Sequence, residues 1–321
     1  MQENLRNPIM SRRFTACLWL TAVLGALPPA AQAAAPVLHV MAASSLTGPL
    51  TELAQRFSRS TGIQVETEFG PSGVLMERIE HGAAADVFAS ANMEYPQRLE
   101  QEGKAASAVI FTRNRLCLIA RPDLQLQTAT VLPHLLDPEL RIGTSTPGDD
   151  PGGDYAWQLF DKVGQHAPGA DIALKRRAQK LVGGRSSPAI PAGHDPMKYY
   201  ILERRAVDVF VGYCSQRKPG HDTQVDRVEL PPQLAVAADY GLSVLSRPQA
   251  GDSAGFRFAL FLLSPAAQEV LAGYGYTPVA AEFANGAKRN YPAALTTRPA
   301  AGQPVTARSS TGQPATAAAA H

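Results

Sequence analysis

One pattern of apolar and polar positions recurs three times in the first third of the chain. Val37 to Ala43 is a short apolar run; Ser44-Ser45-Leu46-Thr47 follows, and Leu50, Leu53, Ala54 and Phe57 are spaced along one face of a helix. Gly62 closes that helix. Ile63 to Phe69 then alternates as a half-buried strand does, and Gly70-Pro71-Ser72-Gly73 opens a helix through Leu75, Met76 and Ile79. Ala85 to Ala91 is a third strand ending in small residues, with a helix over Pro96 to Glu102 behind it. Strands alternating with helices predict an α/β fold with a mainly parallel sheet covered on both faces.

The pattern restarts as a second lobe. Leu116 to Ala120 and Arg141 to Thr144 read as strands, a Gly/Asp-rich turn leads into a helix over Tyr155 to Val163, and Ala206 to Tyr213 reads as another buried strand. After Pro231-Pro232, the strand Tyr240 to Leu245 and the apolar helix Phe256 to Leu263 are predicted to return to the first lobe. Residues 176 to 196, rich in Gly, Pro and basic side chains, are predicted to form a loop near the mouth.

The two ends differ from the rest. Arg12 and Arg13 precede an apolar run from Phe14 to Leu27, and Ala31-Gln32-Ala33 supplies a small-x-small cleavage pattern, so residues 1–33 read as a secretory signal peptide cut after Ala33, with Met10 as a possible start. The run is shorter than a membrane span of roughly 18 to 20 apolar residues. Cys17 lies inside it, with no lipobox, and leaves with the peptide. Residues 297–321 are Ala, Thr, Pro, Gly and Ser, a composition that predicts a disordered tail. Between them stand roughly 260 residues, room for two lobes of about 100 to 150 each.

The whole chain carries 30 Lys and Arg against 28 Asp and Glu, and losing Arg6, Arg12, Arg13 and Glu3 with the peptide leaves the charges balanced. A neutral chain without basic runs has no footprint for nucleic acid or anionic lipid. Cys117 and Cys214 each end an apolar run in an exported chain, which fits either a disulfide or two buried thiols; neither sits in a close-spaced metal cluster.

In open parallel sheets ligands lie beyond the carboxyl ends of the strands, where helices begin. Those ends carry Ser44-Ser45, Ser72-Gly73, Ser90-Ala91, Gly152-Gly153 and Tyr213, all uncharged. Hydroxyls and helix-start N–H groups together suit an anion, although each serine alone also serves as an ordinary helix cap.

The strings Val40-Met41-Ala42-Ala43-Ser44-Ser45-Leu46-Thr47, Phe69-Gly70-Pro71-Ser72-Gly73 with Ile79-Glu80-His81-Gly82, and Ala84-Ala85-Asp86-Val87-Phe88-Ala89-Ser90-Ala91 resemble the periplasmic molybdate-binding proteins of ABC importers. Similarity runs on through Glu203-Arg204, Gly212-Tyr213 and Ser264 to Tyr276, covering most of residues 37–280. The resemblance implies a two-lobed periplasmic binding protein of type II with two crossovers near residues 112 and 239, lobe one over 36–112 and 239–290 and lobe two over 113–238. It implies Ser45 and Ser72 as hydroxyl donors, Ala91 and Gly152 as backbone donors, and Tyr213 as the phenol that closes over the anion. The implied ligand is molybdate or tungstate, with no cofactor; the implied partner is an ABC permease in the inner membrane, served by a monomeric periplasmic receptor.

The second lobe departs from the family. Asp149, Asp150 and Asp154 crowd the turn before the Tyr155 helix, and Asp195 falls where the family offers an apolar backbone donor. These side chains either point to solvent or belong to a different ligand, a cation or metal chelate held by Asp150, Asp195 and Tyr199 or Tyr213. A secreted hydrolase is the remaining alternative, but no Gly-x-Ser-x-Gly or His-Glu-x-x-His occurs, Ser45 and Ser72 lack an identifiable base, and His39, His81 and His134 have no metal-ligand spacing. The sequence therefore reads as a binding protein without catalytic residues.

Overall fold

The computed structural model describes residues 37–216, 224–246 and 253–279. Residues 1–33, expected to be a signal peptide and including Cys17, and the 297–321 segment lie outside the described residues. β1 (Val37–Ala43) pairs in parallel with β2 (Gln64–Gly70) on one side and β3 (Val87–Ser90) on the other. The connecting helices are α1 (Thr47–Thr61) and α2 (Ser72–Glu80), and α3 (Glu94–Gln101) follows β3. The helical spacing in α1 buries Leu50, Leu53, Ala54 and Phe57, and Gly62 ends it at φ 74, a left-handed conformation that glycine adopts without strain.

β4 (Val109–Ala120) is longer than its predicted apolar half because it serves two partners in turn. Val109 to Arg115 runs antiparallel to β9 (Ala237–Val244), which in turn pairs with β3; Leu116 to Ala120 runs antiparallel to β7 (Val209–Tyr213), and Cys117 to Ala120 to β8 (Asp226–Glu229). Beyond β7 lie β5 (Ile142–Ser145) and β6 (Gln179–Val182), parallel to one another. The helical cover of this half includes α4 (Val131–Leu136), α5 (Pro151–His166) and α6 (Ala170–Arg177). The fold is thus the two-lobed α/β architecture, with the exchange of strand partners falling between Arg115 and Leu116.

The described residues hold four apolar clusters, two of them larger than the others. The first gathers β1, β3 and β9 with α1, α8 (Ser253–Leu262) and α9 (Pro265–Gly273), and Phe57 and Phe258 meet edge-on at 5.1 Å between ring centres. The second gathers Leu118, Ile142, Phe160, Val209 and Val211. Each fully buried aromatic or aliphatic side chain stabilises by about 1.5 to 3 kcal/mol. Tyr155 and Tyr213 pack against both cores, so they mark the line where the lobes meet. Cys117 and Cys214 form a disulfide with 5.0 Å between Cα atoms, deciding that question in favour of the bond.

The predicted loop at 176–196 requires correction. Its first part holds the end of α6 and all of β6, which forms the outer strand beside β5; the short, polar Gln179-Lys180 pair hides a strand that has only one neighbour to bury it. Its end forms α7 (Pro196–Lys198), followed by a π-helical turn over Tyr199–Glu203 and, at the far end of the chain, β10 (Thr277–Pro278) pairs with β4.

Candidate anion-binding site

The carboxyl ends of β1, β2, β3 and β5 and the starts of their following helices face one another across the lobe boundary. Ser45 sits in a 3-10 turn after β1, and its hydroxyl meets the Tyr240 hydroxyl of β9 at 2.9 Å. Asn114 Nδ2 donates to Tyr240 at 3.3 Å and to Ser215 at 2.8 Å, and Tyr276 donates to the Ser45 carbonyl at 2.7 Å. Either hydroxyl of the Ser45–Tyr240 pair can be the donor, since the Tyr240 oxygen accepts from Asn114 and still carries its own proton.

Ser72, the first residue of α2, is fully buried, and its oxygen accepts from the Ala91 N–H at 3.1 Å. That bond uses an acceptor site, so the Ser72 hydroxyl proton remains to be donated. The Ala91 carbonyl accepts from Tyr155 of α5 at 3.1 Å, a bond from the second lobe to the first. Tyr213, at the end of β7, lies 5.7 Å from the Tyr240 ring and 6.4 Å from the Tyr155 ring. Its hydroxyl is buried and makes no hydrogen bond of good geometry, and the Tyr240 hydroxyl is the neighbour that interacts with it. Burial drives the Tyr213 phenol well above its ordinary pKa, with Tyr240, Asp150 and Tyr155 adding to the shift, so it is a neutral O–H donor. Tyr240 is raised for the same first reason, and Tyr276 is pushed up to about 12.

The start of α5 is occupied by Asp150. As N-cap it accepts from the Gly152 N–H at 3.4 Å, and its other bond is from the Ser145 hydroxyl at the end of β5. Burial raises its carboxyl to about 6, with Asp154 and Asp149 pushing the same way and the two hydrogen bonds opposing. The other acidic residues of the turn are committed elsewhere. Asp154 accepts from the Gly148 N–H at 2.9 Å, and Asp149 pairs with Arg185. Asp195 caps α7, accepting from the Met197 and Lys198 N–H groups at 3.1 and 3.2 Å. No group of three or more His, Cys, Asp or Glu able to hold a cation occurs among the described residues.

Further bonds tie the lobes at this edge. Gly73 N–H donates to the Asp149 carbonyl at 3.0 Å, Tyr95 donates to the Gly148 carbonyl at 3.2 Å, and Arg185 joins Asp149 of one lobe to Glu77 of the other. The structure thus links Ser45, Ser72, Ala91 and Tyr213 through tyrosines, whereas Gly152 packs against Ser145 and Asp150. Sequence reasoning missed Tyr155, Tyr240, Asn114 and Arg185, whose partners are distant in the chain. Asp150-Pro151 was a readable signal, because an acidic N-cap followed by proline at the first helical position is a helix start.

The comparisons agree with this architecture. The family model described as bacterial extracellular solute-binding protein matches residues 38–277. An uncharacterized protein of Pasteurella multocida is 35% identical over 65% of this chain and 87% of its own length. The molybdate-binding protein ModA of Azotobacter vinelandii is 28% identical over 80% of this chain and 96% of its own. The solved structure of the Azotobacter vinelandii periplasmic molybdate-binding protein superposes with a TM-score of 0.60 at 21% identity, covering 75% of this chain and 98% of that one. With a family match spanning both lobes, this chain belongs to the bacterial extracellular solute-binding proteins.

Proposed function

We propose that this chain is an exported receptor that captures molybdate, or the similarly shaped tungstate, between its lobes and delivers it to an ABC permease. The observation that carries the reading is the gathering of three neutral hydroxyls, Ser45, Ser72 and Tyr213, at the seam of two cores, with the Ser72 oxygen using only an acceptor site in its bond to Ala91. A desolvated dianion needs its acceptor oxygens paired, and neutral donors do this without a competing counter-ion. On this reading the Gly152 and Ala91 amides join the ligand set by giving up their bonds to Asp150 and Ser72, and the relatives named for molybdate support it. Delivery follows a hinge motion, with residues 36–112 and 239–290 moving against 113–238, because only a closed form reaches the anion from both sides. The receptor works outside the inner membrane as a monomer, and no described helix is long and apolar enough to cross a membrane. Titration calorimetry against molybdate, tungstate, sulfate and ferric ion tests the reading. Tight one-to-one binding of molybdate or tungstate supports it, and binding of ferric ion alone refutes it.

A further inference from the structure

Asp150 stands where an oxyanion would meet the start of α5. Its carboxylate takes the Gly152 N–H and the Ser145 hydroxyl and lies against Gly183, where an added Cβ would fall 2.6 Å from Oδ2. A carboxylate accepts hydrogen bonds and cannot donate them, and the same is true of a fully ionised oxyanion. Two such groups on one set of donors repel. A single proton between them converts that repulsion into a charge-assisted hydrogen bond.

We infer that Asp150 is a specificity-determining residue that makes oxyanion binding proton-coupled: each anion is held with one proton shared between the Asp150 carboxyl and a ligand oxygen. The inference rests on the oxyanion reading given above. The groups around Asp150 bring no free positive charge to offset two anions. Asp149 and Asp154 are acidic, Tyr213 from β7 and Tyr95 from α3 are neutral phenols, and Ser145 from β5 is already bonded to it. Arg185, the cation at this turn, is shared between Asp149 and Glu77. The free carboxyl titrates near 6, chiefly through burial. An anion alongside favours the acid form, so binding above that pH draws a proton from solvent, and affinity falls as pH rises, by up to about tenfold per pH unit; below it affinity levels off.

Calorimetry of the wild-type protein with sodium molybdate from pH 5.5 to 8.5, in buffers of different ionisation heat, counts the protons directly. The expected result is uptake approaching one proton per anion above pH 7 with the matching loss of affinity. Asp150→Asn, whose amide donates without titrating, is expected to bind with a flat pH profile and to exceed the wild type at pH 8. Asp150→Ser keeps a capping oxygen and takes its place if the Asn variant does not fold. Wild-type binding that is constant across the range, with no proton exchanged, overturns the inference while leaving the oxyanion reading intact. Absence of molybdate binding in the wild type at every pH and in both variants overturns the oxyanion reading and this inference with it.

Discussion

Tyr213 separates stability from binding more cleanly than any other side chain in the site. Its hydroxyl makes no hydrogen bond of good geometry and interacts with the Tyr240 hydroxyl, so Tyr213→Phe removes a buried polar group at little cost in partners. The variant is expected to keep or slightly raise the thermal midpoint while weakening molybdate binding by about 1 to 3 kcal/mol, read by calorimetry. Ser45→Ala and Ser72→Ala are expected to weaken binding by a similar amount, but Ser72→Ala also strips the Ala91 N–H of its acceptor and lowers stability. Unchanged affinity in all three variants would dismiss the site. At this scale the local placement of Ser45, Ser72 and Tyr213 was legible, since the first two open the helical turns after β1 and β2 and the third ends β7. It was silent on Tyr240 and Asn114, because a bond between residues 126 positions apart leaves no local pattern. Asp150 was visible as a carboxylate out of place, but only the packing of Gly183 against it and its bond to Gly152 show that it is half-buried at the turn and turned toward the start of α5.

Two elements position these side chains, and each offers a test. The start of α2 approaches the turn before α5 so closely that a Cβ on Gly73 would lie 2.7 Å from the Asp149 carbonyl oxygen. Backbone cannot yield as a side-chain tip does, so Gly73→Ala is expected to push the lobes apart, weakening binding by about 1 to 3 kcal/mol with little change in circular dichroism. β7 is anchored at its start by Asp208, which accepts from the Arg141 backbone and guanidinium at 3.0 Å and lies 3.3 Å from Arg121. Hydrogen bonding from Arg141 holds the Asp208 carboxyl below its ordinary pKa. Its contribution is therefore present at neutral pH and lost as pH falls through that lowered value. Asp208→Ala is expected to cost about 1.5 to 3 kcal/mol in urea unfolding at pH 7 and much less in acid. The parallel strands and their helices were legible because apolar period and glycine stops coincide there; β6 and β8 were not, being short and partly polar at positions with few neighbours.

For the whole molecule, the division into two lobes follows from one strand changing partners midway along its length. The disulfide sits just beyond that change, at Cys117 opposite the end of β7, and closes a loop of 97 residues. Its reduction is expected to lower stability by about 4 to 5 kcal/mol, read as a shift in the denaturant midpoint. Because Cys214 directly follows β7, the strand paired with the Cys117 half of β4, hinge motion is expected to survive reduction. The claim on which everything turns is that neutral donors from both lobes converge on one anion. The most direct test is a crystal structure of the protein grown with molybdate, with the ion located by its anomalous scattering. The account predicts one ion within hydrogen-bond distance of Ser45, Ser72 and Tyr213, with Asp150 close enough to share a proton with it; an ion bound elsewhere, or a cation gripped by Asp150 in that space, would contradict it.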